Sequence, residues 1–282
     1  MLILALLAAM AAALLRHRPW RAGIWLSIAI AIKVIPAFLL IYPAWRREWR
    51  CLGGCAIGLV VCLGLVPAAV FGPERAWQYN WDFIDKVALP GMASGEDKSR
   101  VDELFAMSTP SQSFLSVTHN TLNPPWTARP RQADPEVRAG HWLLSGLFTG
   151  LVLLAAGWKR NDSAGAAVLL LGCLSMVMIL SSPVCHAHYF CLAVPLVMGI
   201  LAVRWEKDAL PRVEIGWALL FGLFTLAHAL ILFPKMETIR DLGLGLYPAL
   251  VLLLAGCGAL YWQRRGQARM ISAETDRKRQ AA

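Results

Sequence analysis

The sequence predicts an all-α, polytopic integral membrane protein with about seven or eight membrane helices, one of which either spans or re-enters. Three observations predict it. Hydrophobic residues make up 57% of the chain and charged residues 16%, at a mean hydropathy of +0.53. Apolar runs close to the roughly 20 residues that cross a bilayer occur at Gly53–Phe71, His141–Gly157, Ala164–Leu180, Tyr189–Val203, Val213–Phe233 and Leu242–Trp262. Basic clusters fall on one side of the membrane when these runs are threaded in order.

The first run, Met1–Leu15, is apolar, has no basic residue before it and ends directly in Arg16-His17-Arg18. A signal peptide has a positive start and a small-residue cleavage site, so this run reads instead as the last part of a membrane helix. The expectation is a start that lacks preceding sequence. Ala22–Ala44 follows, with basic clusters at both ends and Lys33 and Pro36 in its middle. Proline removes a donor and clashes with the preceding turn. The segment therefore either spans once, leaving one cluster outside, or dips in and returns as a hairpin, which is the preferred reading.

The positive-inside rule places Arg16, Arg18, Arg21, Arg46, Arg47, Arg50, Lys159, Arg160, Arg204, Lys207, Arg212 and the tail from Arg264 to Arg279 in the cytoplasm. The connections 72–140, 181–188 and 234–241 then lie outside. The outer segment 72–140 holds nine acidic and seven basic residues, so the net charge of +9 belongs to the cytoplasmic rim. Anionic lipid headgroups are its expected partner, and nucleic acid is not. The chain is read as a transmembrane domain over 1–262, containing the outer loop 72–140, followed by a basic tail over 263–282. Trp20, Trp45, Trp49, Trp158, Trp205 and Trp262 sit at the cytoplasmic boundary and Trp142 at the outer one, as an aromatic belt does. Localisation in the plasma membrane, crossing it several times, is expected.

Chemistry is expected in the outer connections. In 73–86, Trp77, Trp81 and Ile84 fall on one helical face with charges opposite, the pattern of an interfacial amphipathic helix. It either anchors or roofs a cavity with Asp82 or Asp85 facing inward. Thr109-Pro110-Ser111-Gln112 predicts a second helix, with Thr109 as N-cap, Pro110 at the first position and Gln112 in a capping box. Ser113, Thr118, His119, Asn120 and Asn123 then form a polar cluster able to hold phosphate or sugar oxygens.

The third site, Ser181 to Phe190, lies at the mouth of a membrane helix, where ionisable residues are functional candidates. Cys185, His186, His188 and Cys191 are poor metal ligands as a set, because residues two apart on a helix do not face each other; no metal and no cofactor is expected. His188, pointing into an external cavity toward a phosphate, is the stronger reading, against a histidine that merely sits at the interface. The remaining cysteines lie in apolar runs and read as small hydrophobes.

These residues resemble glycosyltransferase family 87. Ile30-Ala31-Ile32-Lys33-Val34-Ile35-Pro36-Ala37, followed by a Trp/Arg cluster, is similar to the family's K-x-x-P membrane segment. Ser111-Gln112-Ser113-Phe114-Leu115 is similar to its N-Q-S-L external motif, with Ser111 in place of asparagine. Ser182-Pro183, then His188-Tyr189-Phe190 and Pro195, is similar to its late-helix mouth. The resemblance implies a GT-C fold and a mannosyltransferase that moves a hexose from a polyprenyl-phosphate donor to a lipid or glycan acceptor on the outer face. Beside that chemistry, His188, Gln112 and Ser113 are expected to serve the phosphate or sugar, Lys33 joins them only if its hairpin tip approaches the outer half of the membrane, and His119 is the polar cluster's further candidate. The family carries its catalytic aspartate in a first external loop after the first membrane helix. No such loop follows Met1–Leu15, so the base is unassigned and Asp82 and Asp85 stand as substitutes. The competing classes are a flippase or transporter of lipid-linked glycans and an accessory subunit. A transporter would show paired broken helices, and only one broken segment is present.

Overall fold

The computed structural model describes residues 1–88, 111–124, 129–130, 132–158, 163–205 and 211–280. Every element within them is helical: α1 (Leu2–Leu15), α2 (Pro19–Ile32), α3 (Ile35–Trp45), α4 (Trp49–Phe71), α5 (Pro73–Phe83), α6 (Phe114–Leu122), α7 (Pro135–Ala156), α8 (Ala164–Leu180), α9 (Ala187–Trp205), α10 (Pro211–Leu230), the single turn α11 (Glu237–Asp241) and α12 (Leu246–Gln280). Four of these are long and apolar enough to cross a membrane: α4, α7, α9 and the Leu246–Gly266 part of α12. Leu2–Leu15, Pro19–Ile32, Ile35–Trp45, Ala164–Leu180 and Ile215–Leu230 are shorter apolar helices. The chain is an all-α polytopic membrane protein.

The centre is α8. It is apolar around its whole circumference, and from Leu169 to Leu180 every residue is buried, as a helix hydrophobic on all sides must be. α9, α12, α1 and α3 surround it. A Cβ on Gly172 would lie 2.3 Å from the Leu196 backbone, and one on Gly199 would lie 2.4 Å from Leu169. Small residues let two backbones approach where no hydrophobic force separates helix from lipid.

The same device decides the path of Ala22–Ala44. A Cβ on Gly23 would meet the Cys51 carbonyl at 2.1 Å, one on Gly54 the Trp20 carbonyl at 2.4 Å, and one on Gly58 the Ser27 hydroxyl at 2.0 Å. Contacts that advance together along both helices mean that α2 and α4 run parallel. The chain between them must therefore return, and α3 does so after the break at Lys33-Val34. The segment is a helical hairpin with Lys33 at its tip.

The basic clusters meet at one end. The Trp45 indole and the Arg46 guanidinium both donate to the Gly157 carbonyl, at 3.0 and 3.3 Å. Arg47 lies 5.3 Å from the Trp158 ring, and Arg264 donates to the Leu154 carbonyl at 2.7 Å. Gly157 ends α7 with φ +68, where only glycine is free of strain, and Arg264 covers it. Lys33 and the connections around residues 111, 185 and 241 gather at the opposite, polar end. α12 continues past the apolar part to Gln280, so the basic tail extends a membrane helix.

α5 folds back along the last turns of α4. Between Val60 and Leu65, α4 widens into a π-turn, which frees carbonyls from the regular ladder; the Asn80 amide takes the Leu63 carbonyl at 2.6 Å. Trp77 and Trp81 stack with centroids 6.4 Å apart and remain exposed.

Candidate active site

Three stretches of chain build the polar end. The first is Ser111-Gln112-Ser113. Thr109 and Pro110, read from the sequence as the start of a helix, lie outside the described residues, and the capping reading is corrected. α6 starts at Phe114, and Ser113 is its N-cap, with its hydroxyl accepting from the Ser116 N–H at 3.1 Å. Gln112 has other partners. Its backbone N–H donates to the Cys185 carbonyl at 2.7 Å, and the Ser111 hydroxyl accepts from the Cys185 N–H at 2.9 Å. Ser113 donates to the Pro183 carbonyl at 3.1 Å. The loop that leads to His186 and His188 is therefore fastened on both backbone edges.

The Gln112 side chain faces the other way. Its amide donates to the Arg240 carbonyl and its oxygen accepts from the Gly245 N–H, each at 2.9 Å. Gln112 is fully buried, and both ends of its amide satisfy backbone groups. His119, also buried, reaches the Pro130 carbonyl at 3.0 Å. Beside it, Arg129 pairs with Asp241 at 3.1 Å, both side chains nearly buried. The Arg129–Asp241 pair was not anticipated from the sequence. Its signal was an acidic residue closing the connection 234–241.

The second and third stretches are the hairpin tip and the start of α9. Lys33 and Tyr189, 156 residues apart in sequence, meet there. The ammonium of Lys33 donates to the Tyr189 hydroxyl and lies 3.8 Å from its ring centroid. His188 packs edge-on against Tyr189 at 4.5 Å and parallel to His186 at 5.7 Å. Burial, then the neighbouring His188 and Lys33, lower the pKa of His186 from its ordinary value. Burial raises that of the Cys185 thiol, an effect that Lys33 partly offsets.

Lys33, His188 and Tyr189 line a cavity of about 380 Å³ whose walls are otherwise apolar, including Leu4, Ile35, Pro36, Met178 and Leu192. Of the residues expected at the site, the structure brings Lys33 and His188 together. Gln112 and Ser113 stand behind the loop that carries His188, and His119 lies deeper in α6. Asp82 pairs with Lys86 at 3.0 Å on the exposed side of α5, and Asp85 is exposed; neither lines this cavity. Tyr189 had no assigned role from the sequence, although it adjoins His188 in the motif. Among the described residues, no three His, Cys, Asp or Glu side chains form a metal-holding group.

An apolar cavity with one ammonium and an imidazole at its rim suits an amphipathic anion, because a buried cation is stable only when paired or hydrogen-bonded. Fold and cavity together define an α-helical membrane protein with an amphipathic site at the polar end of its bundle. The family model described as Glycosyltransferase family 87 matches residues 1–183, and the chain belongs to that family. A polyprenol-phosphate-mannose-dependent alpha-(1-2)-phosphatidylinositol mannoside mannosyltransferase of Mycobacterium tuberculosis (strain ATCC 25618 / H37Rv) is 26% identical over 209 residues. The match covers 73% of this chain and 42% of that protein, so the chain spans less than half of this relative's length. No solved structure matches.

Proposed function

We propose that the chain acts in a membrane hexosyl transfer in which a polyprenyl-phosphate donor gives its sugar, mannose, to a lipid or glycan acceptor on the external face of the plasma membrane. The observation that carries this reading is the cavity that joins Lys33 and His188 to an apolar wall. The wall takes the isoprenoid chain, and the rim takes the phosphate.

The role of each group follows from where charge develops. A polyprenyl-phosphate sugar carries one negative charge on its phosphodiester. As the bond from the anomeric carbon to oxygen breaks, the leaving phosphate gains a second. A cation placed at that oxygen binds the transition state more tightly than the donor, which is what lowers a barrier. Lys33 supplies that charge after leaving the Tyr189 hydroxyl, and His188, packed on the same Tyr189, adds a second donor. Gln112, Ser113 and His119 hold the mouth in register through the backbone groups that they bind. An inverting transfer also needs a carboxylate to take the proton of the acceptor hydroxyl. Among the described residues no carboxylate lines the cavity, so Asp82 and Asp85 receive no role here and the base is left unassigned.

The test is transfer of labelled mannose from a polyprenyl-phosphate donor in vesicles that contain the protein. Lys33→Ala and His188→Ala are expected to lose transfer while inserting normally. Unchanged transfer in both variants overturns the assignment. Donor that crosses the bilayer without sugar transfer moves the protein to the transporter class.

A further inference from the structure

The basic end carries a second cavity, of about 460 Å³, lined by His17, Arg47, Arg50, Glu48 and Trp49, with Leu14 and Pro19 as its apolar part. We propose that it is a built site for the headgroup of an anionic phospholipid in the leaflet at that end, separate from the site at the polar end.

The argument starts with two turns that have the same geometry. α1 passes into α2, and α3 into α4, through a Schellman turn. The Arg18 N–H donates to the Ala13 carbonyl and the Glu48 N–H to the Pro43 carbonyl, each at 2.8 Å. In such a turn the left-handed residue is normally glycine. Here it is His17 with φ +53 and Arg47 with φ +55, the two non-glycine positive-φ residues among those described. Each is strained by about 1 kcal/mol or more relative to glycine at that position. Both residues line the same cavity.

Electrostatics points the same way. α2 and α4 run parallel, so their positive dipole ends lie on one side, offset by about one turn. A helix N-terminus favours acidic side chains, yet neither first turn contains one, and neither N-cap makes a side-chain cap bond. Arg21 and Arg50 stand there instead, adding like charge to the dipoles. Glu48 supplies one carboxylate against this excess. An anion between the turns would meet Arg47 and Arg50 and the positive dipole ends of both helices at once.

The occupant is a lipid rather than a free ion because the cavity is half apolar and lies at the membrane boundary. Trp20 and Trp49 project from the same helix ends, 48% and 69% exposed, as aromatic anchors at headgroup level do. The phosphate meets Arg47, Arg50 and His17, and the glycerol and first methylenes lie on Leu14 and Pro19.

The experiment is native mass spectrometry of the whole protein released from nanodiscs of mixed phosphatidylglycerol and phosphatidylcholine. The expected result is retained phosphatidylglycerol in preference to phosphatidylcholine. The variant Arg47→Gly with Arg50→Gln should lose that preference roughly 25-fold, at about fivefold per cation. Arg47→Gly relieves the left-handed strain, so its thermal midpoint should hold or rise, which separates lost binding from lost folding. Equal retention of both lipids, retention by the double variant at the wild-type level, or displacement of the lipid by millimolar inorganic phosphate alone would each overturn the proposal.

Discussion

At the polar end of the bundle, irregular chain is fastened by neutral hydrogen bonds, whereas at the basic end it is lined with cations. Around Gln112 and Cys185, carbonyls and N–H groups that no helix uses are each matched to a side chain or a backbone partner. Among the described residues, the cations Lys33, Arg129 and Arg240 stand at that end, and each has a specific partner. At the other end, Arg16, Arg18, Arg47 and Arg50 are exposed. The difference teaches where a substrate site is affordable. Charge in a partly buried cavity must be positioned in advance, and positioning needs a fastened backbone; charge at a headgroup surface works without it.

Removing Lys33 should break the comparison most severely. Lys33→Ala is expected to lower kcat/KM for sugar transfer by about 100- to 1,000-fold, the range for losing one preorganised donor to developing charge. The thermal midpoint should scarcely move, because the side chain is at a hairpin tip. A large fall in stability with normal specific activity would make Lys33 a structural strut for Tyr189 instead.

The next effect comes from the hairpin that delivers Lys33. Gly23→Val puts a side chain where the Cys51 carbonyl is 2.1 Å from the Cβ position. Backbone cannot yield as a side-chain tip does, so α2 and α4 must separate, at a cost of about 3 kcal/mol or more. Thermal unfolding in detergent measures it. If the variant matches wild type, α2 and α4 are not in this contact and the hairpin argument fails with it.

Gln112→Ala comes third. It takes the acceptor from the Gly245 N–H and one of two donors from the Arg240 carbonyl, which keeps the Gly243 N–H, for a loss of about 1–2 kcal/mol. Activity per folded molecule should drop less than in Lys33→Ala, because the effect on His188 passes through the backbone. The reverse order would restore Gln112 to direct contact with sugar or phosphate.

What the sequence carried and what it withheld follow from range. Apolar runs and arginine clusters are local signals, and the ends they define agree with the meeting of Trp45, Arg46 and Arg47 with Gly157 and Trp158. The break at Lys33–Pro36 was visible, and the basic clusters at both ends of the segment favoured its return, although hydrophobic periodicity alone has no sense of up or down. Gly23, Gly54 and Gly58 held that information as a small-residue spacing of four, matched across two helices. Gln112 was misread as a cap because its side-chain partners lie 128 and 133 residues away. A local capping rule cannot see them. Lys33 and His188 were each legible as functional candidates from their motifs, while their shared cavity needed the fold.

The smallest effect concerns His186, which stands just before α9 beside Lys33 and His188. Its pKa is lowered in the folded state, by burial first and by the two neighbouring basic groups next. The unfolded chain therefore binds its proton more readily, and stability increases with pH through the range between the lowered value and about 6.5. Read downward, the contribution is intact above about pH 6.5 and is lost as acidification protonates the unfolded chain ahead of the folded one. His186→Asn removes that titration and keeps a polar side chain, so it should flatten the fall in thermal midpoint between pH 7 and pH 5. His186 is only half-buried, which keeps the change small against that of Gln112→Ala. If the variant's midpoint falls with acid as steeply as wild type, another group governs the acid limit of the polar end. If wild type instead gains stability below pH 6.5, the imidazole is better solvated or paired than its contacts with Lys33 and His188 imply.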